Sequence, residues 1–197
     1  AFYGSRSVNF AGTEGVPVTQ PVVWLPQDEI GNSPSQPTYI NQGDYAGQML
    51  HGEVTHGGLK RVFAEKVNGD YQGAVFRFTQ GLEAGINRVA WAPDGKTLYV
   101  GGVGNPGNWS HNGKAWYGLQ KLSFNGKQAF EMLKVSARSN GMELEFTQPL
   151  ELGRGITAAE YQVQQWYYLP TSSYGGDKKD LQDLKIVSVN ISKDRKK

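Results

Sequence analysis

The chain has 197 residues, 38% of them apolar, enough to bury one large or two small cores. Its 26 glycines, 12% aromatic content and only 19% charged residues point to turn-rich sheet structure rather than helix. Twenty basic against eighteen acidic side chains leave a formal charge of +2, which excludes the footprint of a nucleic-acid binder or a polybasic membrane anchor.

The absence of cysteine removes disulfides, c-type haem attachment and thiolate metal sites from consideration. No run approaches the ~18 apolar residues of a membrane helix, and the first residues lack the basic start and apolar stretch of a signal peptide. The opening Ala1-Phe2-Tyr3, without Met, suggests a processed or cut N-terminus. The one basic run, Lys193 to Lys197, reads as a solvated turn or cut end.

Ala1 to Pro21 is weakly patterned and reads as a strand remnant plus loop. A short apolar strand is expected at Pro21 to Leu25. Pro26 to Tyr45 carries Pro26, Pro34, Pro37, Gly31 and Gly43, and is expected to be a long connecting loop, too broken for a helix or a central strand. A loop of that length in a compact domain is more often ligand-facing than idle.

Leu59 to Val67 and Tyr71 to Thr79 flank Asn68-Gly69, a pair that supplies the positive φ angles of a type I′ hairpin turn. Ile86 to Trp91 and Thr97 to Val103 flank Pro93-Asp94-Gly95 and form a second hairpin. A further strand, Trp116 to Phe124, ends at Asn125-Gly126. Such a meander of short strands is the habit of propeller blades.

Composition shifts near Gln128, which divides the chain into residues 1–127 and 128–197. Glu131 to Arg138, the turn Asn140-Gly141, and Met142, Leu144 and Phe146 alternating with Glu143 and Glu145 make a hairpin with one buried face. Tyr161 to Leu169 and Leu184 to Ser192 are expected to add two strands. Four strands fall short of the about seven of an immunoglobulin-like sandwich, so the second unit reads as incomplete and the natural protein as longer. The expected fold class is all-β: late blades of a β-propeller followed by an incomplete fibronectin- or Ig-like sandwich.

From Val23 to Gly126, the stretches WLPQDEIGNSPSQP, GQMLHGEVTHGGLKRVF, VNGDYQGAVFRFTQGLEAGINRVAWAPDGKTLYVGGVGNPGNW and KAWYGLQKLSFNG resemble the last blades of bacterial glucose/sorbosone dehydrogenase-like propellers. FEMLKVSARSNGMELEFTQPL, YQVQQWYYLPTSSYGG and LKIVSVNISKDRKK are similar to the fibronectin-like domain that follows them. The resemblance implies a secreted or periplasmic quinoprotein in which a sugar or alcohol hydroxyl gives hydride to pyrroloquinoline quinone (PQQ). It also implies the remaining propeller blades or a companion chain, and a c-type cytochrome domain, as partners. In the quinoprotein relatives the general-base histidine belongs to an earlier blade, so the catalytic base would lie outside this chain. The alternative is a non-catalytic carbohydrate-binding or scaffold propeller, such as a subunit of a c-type cytochrome-containing protein.

His51, Glu53 and His56 form H-x-E-x-x-H before Gly57-Gly58, and on a strand His51 and Glu53 point to the same side. His51 and His56 are the candidate catalytic groups, since a base of near-neutral pKa suits proton removal as hydride leaves. Hydrogen bonding within a blade or its loop is the competing reading. Two histidines and a carboxylate at this spacing are a weak zinc pattern, and no metal is assigned. Lys60, Arg61, Arg77 and Arg88 are the cations suited to a multiply carboxylated quinone, against their ordinary use on solvated faces or in local ion pairs. Trp109, with Asn105, Asn108 and His111 in the loop Gly104 to Gly113, is the candidate sugar-stacking residue. The other tryptophans, Trp24, Trp91, Trp116 and Trp166, read as core packing. Asn108-Trp109-Ser110 and Asn190-Ile191-Ser192 match the glycosylation acceptor pattern, a match that is common by chance. No phosphate-binding loop, serine hydrolase elbow or calcium hand is present in the sequence.

Overall fold

The structure is a computed structural model, and it describes residues 19–104, 115–169 and 176–197. The described residues are all-β, with eleven strands and one 3-10 turn at Ala158–Glu160. Val22–Gln148 forms one compact unit and Pro149–Lys197 belongs to another. The compositional boundary between residues 127 and 128 falls inside the first of these.

Four strands, β1 (Pro34–Tyr39), β2 (Met49–Glu53), β3 (Leu59–Val67) and β4 (Asp70–Thr79), make an antiparallel sheet in sequence order. Asn68 at φ 52° and Gly69 at φ 99° turn β3 into β4, so Val67 faces Asp70 as the two-residue hairpin requires. β5 (Gly85–Trp91), β6 (Thr97–Val103) and β7 (Tyr117–Ser123) make a second antiparallel sheet, again in sequence order. Its first turn is fixed by Asp94, whose Oδ1 accepts from the backbone N–H groups of Lys96 and Thr97 at 2.8 and 2.9 Å. β8 (Met132–Arg138) and β9 (Gly141–Phe146) are the hairpin expected from the alternating pattern.

Ile40, just after β1, and Leu50 and Leu59 from the first sheet meet Ile86, Val89, Leu98 and Val100 from the second in one buried cluster. Each such side chain contributes roughly 1.5–3 kcal/mol by leaving water. The sheets approach closely because glycine sits at the contact: a Cβ on Gly52 would lie 2.5 Å from the Ile86 carbonyl oxygen and 2.7 Å from Ile86 Cγ2. Ser35 Oγ donates to that same Ile86 carbonyl at 2.6 Å, and Trp91 Nε1 donates to the Tyr39 carbonyl at 2.7 Å.

Three expectations fare differently. The stretch Pro26 to Tyr45 is not all loop, because β1 lies within it. The prolines confine β1 to the sheet edge, where a missing N–H costs no ladder bond. Pro21 to Leu25 forms no strand. Leu184 to Ser192 is likewise not a strand, although the Leu184 N–H donates to the Val163 carbonyl at 2.8 Å. The second unit's two-stranded sheet instead pairs β10 (Gln164–Tyr167) with β11 (Lys179–Asp183), helped by Gln164 Nε2 donating to Asp183 Oδ1 at 2.9 Å.

Candidate functional site: a buried polar row on the first sheet

The register of the first sheet aligns three of the sequence-predicted residues. His51 on β2 faces Lys60 on β3, and Lys60 faces Arg77 on β4, so their side chains share one side of the sheet. Glu53, two residues beyond His51, points to the same side. The row runs from the buried His51 (7% exposed) and Lys60 (2%) to the exposed Arg77.

Glu53 is fully buried. One carboxylate oxygen accepts from the backbone N–H groups of Asn32, at 3.0 Å, and Ser33; the other accepts from the N–H of His56. Burial pushes this carboxyl up, but the backbone donors of His56, Asn32 and Ser33 outweigh it and hold the carboxyl below its ordinary range. Glu53 therefore latches two loops, the one before β1 and the one between β2 and β3.

His51 Nδ1 lies 2.9 Å from the Gly52 carbonyl oxygen, and Nε2 is buried without a hydrogen-bond partner. Burial is the main cause that lowers its pKa, so the ring is held neutral. Lys60 Nζ donates to the Gly57 carbonyl at 3.0 Å; burial lowers its pKa, and nearby Glu53 opposes that shift. His56 is exposed, with Nε2 3.6 Å from Asp28 Oδ1. Its backbone, not its ring, joins the Glu53 network.

Arg61 alternates to the other side of β3. Its guanidinium lies between the rings of Tyr45 and Phe76, 4.4 and 4.3 Å from their centroids. It donates to Gln48 Oε1 and to the carbonyls of Met132 and Leu133. Arg77 donates to the Glu29 carbonyl. Arg88, on β5, is exposed and donates to Asn87, its sequence neighbour, at 2.9 and 3.0 Å. The four predicted cations are thus not gathered: Lys60 and Arg77 share the row, Arg61 faces away, and Arg88 belongs to the other sheet. Asn105, Asn108, Trp109 and His111 lie outside the described residues.

Among the described residues no group of three or more histidine or carboxylate side chains is placed to hold a metal ion. Both oxygens of Glu53 accept from backbone donors, which ties this carboxylate to the loops around it. No helix among the described residues is long and apolar enough to cross a membrane. The structure adds what the sequence reading missed, the strand β2 itself and the backbone donors of Asn32 and Ser33. Those donors lie twenty and twenty-one residues from Glu53, and no local pattern announces them. No family model matches the chain, nor does any curated protein or solved structure.

Proposed function

We propose that residues 1–127 supply two consecutive β-propeller blades to a secreted or periplasmic protein of the quinoprotein sugar- or alcohol-dehydrogenase kind. In this reading PQQ takes hydride from a sugar hydroxyl, the catalytic base comes from polypeptide outside this chain, and residues 128–197 are fibronectin-like. The observation that carries it is the His51–Lys60–Arg77 row. A neutral imidazole, a buried ammonium and a rim guanidinium stand on adjacent strands, a set able to orient a polyhydroxylated substrate or a carboxylated cofactor. Two up-and-down sheets packed face to face support the blade assignment.

The test is titration of the complete protein with PQQ, followed by sugar-dependent reduction of a dye acceptor. Quinone binding that Lys60→Ala weakens about tenfold or more supports the reading. Folded protein that binds no quinone rules it out.

A second reading, a carbohydrate-binding or scaffold propeller without redox chemistry, is favoured by Glu53 and Arg61. These two buried charges are occupied by the fold's own backbone and side-chain groups. Sugar binding without quinone binding in the same titration supports it.

A further inference from the structure

The buried end of the row contains an unfilled hydrogen-bond position of defined polarity. A carbonyl oxygen only accepts, so His51 Nδ1, facing the Gly52 carbonyl at 2.9 Å, must carry the proton. In a neutral ring that leaves Nε2 as a lone-pair acceptor, and this is the atom buried without a partner. Leaving such an acceptor bare forfeits its hydration with nothing in return, which is why buried polar atoms in native proteins are almost always paired. Lys60 faces His51 directly across the strand pair, with Cβ atoms of such neighbours about 4.5–5.5 Å apart. Its ammonium has three N–H donors, and Gly57 takes one of them. No other acceptor for Lys60 occurs among the described residues.

A single atom completes both only if it is donor and acceptor at once. It must donate to Nε2 and accept from the ammonium. A fully deprotonated anion has no hydrogen for Nε2, a metal cation is repelled by Lys60 and Arg77, and an ammonium ligand accepts nothing. An O–H group does both. We propose that His51 Nε2 and Lys60 Nζ together hold a single hydroxyl oxygen, supplied either by a buried water or by the hydroxyl of a polyol ligand. The site is a matter of polarity alone and stands whether or not the protein binds a quinone.

The experiment is a pair of high-resolution crystal structures of the protein, one grown without any polyol and one soaked in sorbitol. It is joined by the 15N resonance of His51 Nε2 in solution. The expected result is one oxygen within about 2.7–3.2 Å of both nitrogens, and an Nε2 resonance shifted as for a hydrogen-bonded lone pair. An oxygen unchanged by sorbitol identifies the source as water; replacement by a sorbitol hydroxyl identifies a ligand site. Lys60→Met, if it folds, should at least halve the occupancy of that oxygen. Because this substitution is buried, the wild-type resonance decides independently of it. A bare-lone-pair resonance, no oxygen in either crystal, or a direct contact between the two nitrogens overturns the proposal.

Discussion

Arg61 on β3 donates to the carbonyl oxygen of Leu133 on β8 at 2.9 Å, across 72 positions of sequence. Arg61 is 2% exposed, has no carboxylate in hydrogen-bond contact among the described residues, and directs its donors to Gln48 and to two successive carbonyls of the β8–β9 hairpin. Its planar fork and stacking faces suit that position, where a lysine offers a point charge on a flexible stem. Arg61→Met should therefore destabilise the protein by about 3 kcal/mol or more, since it leaves buried carbonyls unpaired and removes two cation–π contacts. Arg61→Lys should recover only part of this. Urea denaturation of both variants is the measurement, and a loss below about 1 kcal/mol in Arg61→Met would show that the hairpin is held by other means.

Gly69 and Gly52 should fail for opposite reasons when replaced by alanine. Gly69 stands at φ 99° with open space around its missing Cβ, so Gly69→Ala suffers only backbone strain, about 1 kcal/mol. Gly52 has no positive φ, yet its Cβ would enter the contact with Ser35 and Ile86 that joins the two sheets. Overpacking there should cost about 3 kcal/mol or more. Thermal unfolding of the two variants side by side checks the order; Gly69→Ala as the more damaging change would refute it.

Much of the first unit was legible because its signals are local. Asn68-Gly69 and Pro93-Asp94-Gly95 set turn geometry within a few residues, and β3, β4, β5 and β6 lie within a residue of where those turns place them. β1 and β2 were not legible as a pair. Their stability comes from pairing across the Ile40–Gln48 connection and from β3, while Pro34 and Pro37 argue locally against a strand. The site divides the same way. Alternation put His51 and Glu53 on one side, but the placement of Lys60 beside His51, and of Arg61 away from it, depends on register, and a shift of one residue would have exchanged them. In the second unit, strand propensity favoured Leu184 to Ser192, whereas hydrogen bonding between Gln164 and Asp183 and the backbone ladder selected Lys179–Asp183.

Glu53 and His56 are neighbours in one motif but differ in what they hold. Glu53→Gln keeps an oxygen for one loop and turns an amide N–H₂ toward a backbone N–H of the other, placing donor against donor. That should cost about 2–3 kcal/mol. His56→Ala keeps its backbone N–H on Glu53 and loses only an exposed side-chain contact with Asp28, so it should cost under about 1 kcal/mol. Chemical denaturation separates the two. A His56→Ala loss as large as that of Glu53→Gln would mean that the ring, not the backbone, holds the loop.

Acid should weaken the fold in two steps. His51 has its folded pKa below the ordinary 6.5, chiefly through burial, and Glu53 has its folded pKa below the ordinary 4.5 because backbone donors outweigh burial. In each case the unfolded chain binds a proton at a pH where the folded chain does not, so stability rises with pH through the interval between the two values and is lost as pH falls. The His51 contribution is intact above about 6.5 and erodes below it; that of Glu53 is intact above about 4.5 and erodes below that. Each group adds at most about 1.4 kcal/mol per pH unit within its interval. Lys60, whose folded pKa is also lowered, adds a change of the same sign on the alkaline side, with stability rising as pH climbs toward 10.5. Unfolding free energies measured from pH 8 to pH 4 should bend downward near pH 6.5. His51→Gln, which carries no charge at any pH in that range, should remove the first bend and leave the second. If the first bend persists unchanged in His51→Gln, its source is another group and the buried imidazole is not the acid-sensitive element of the sheet.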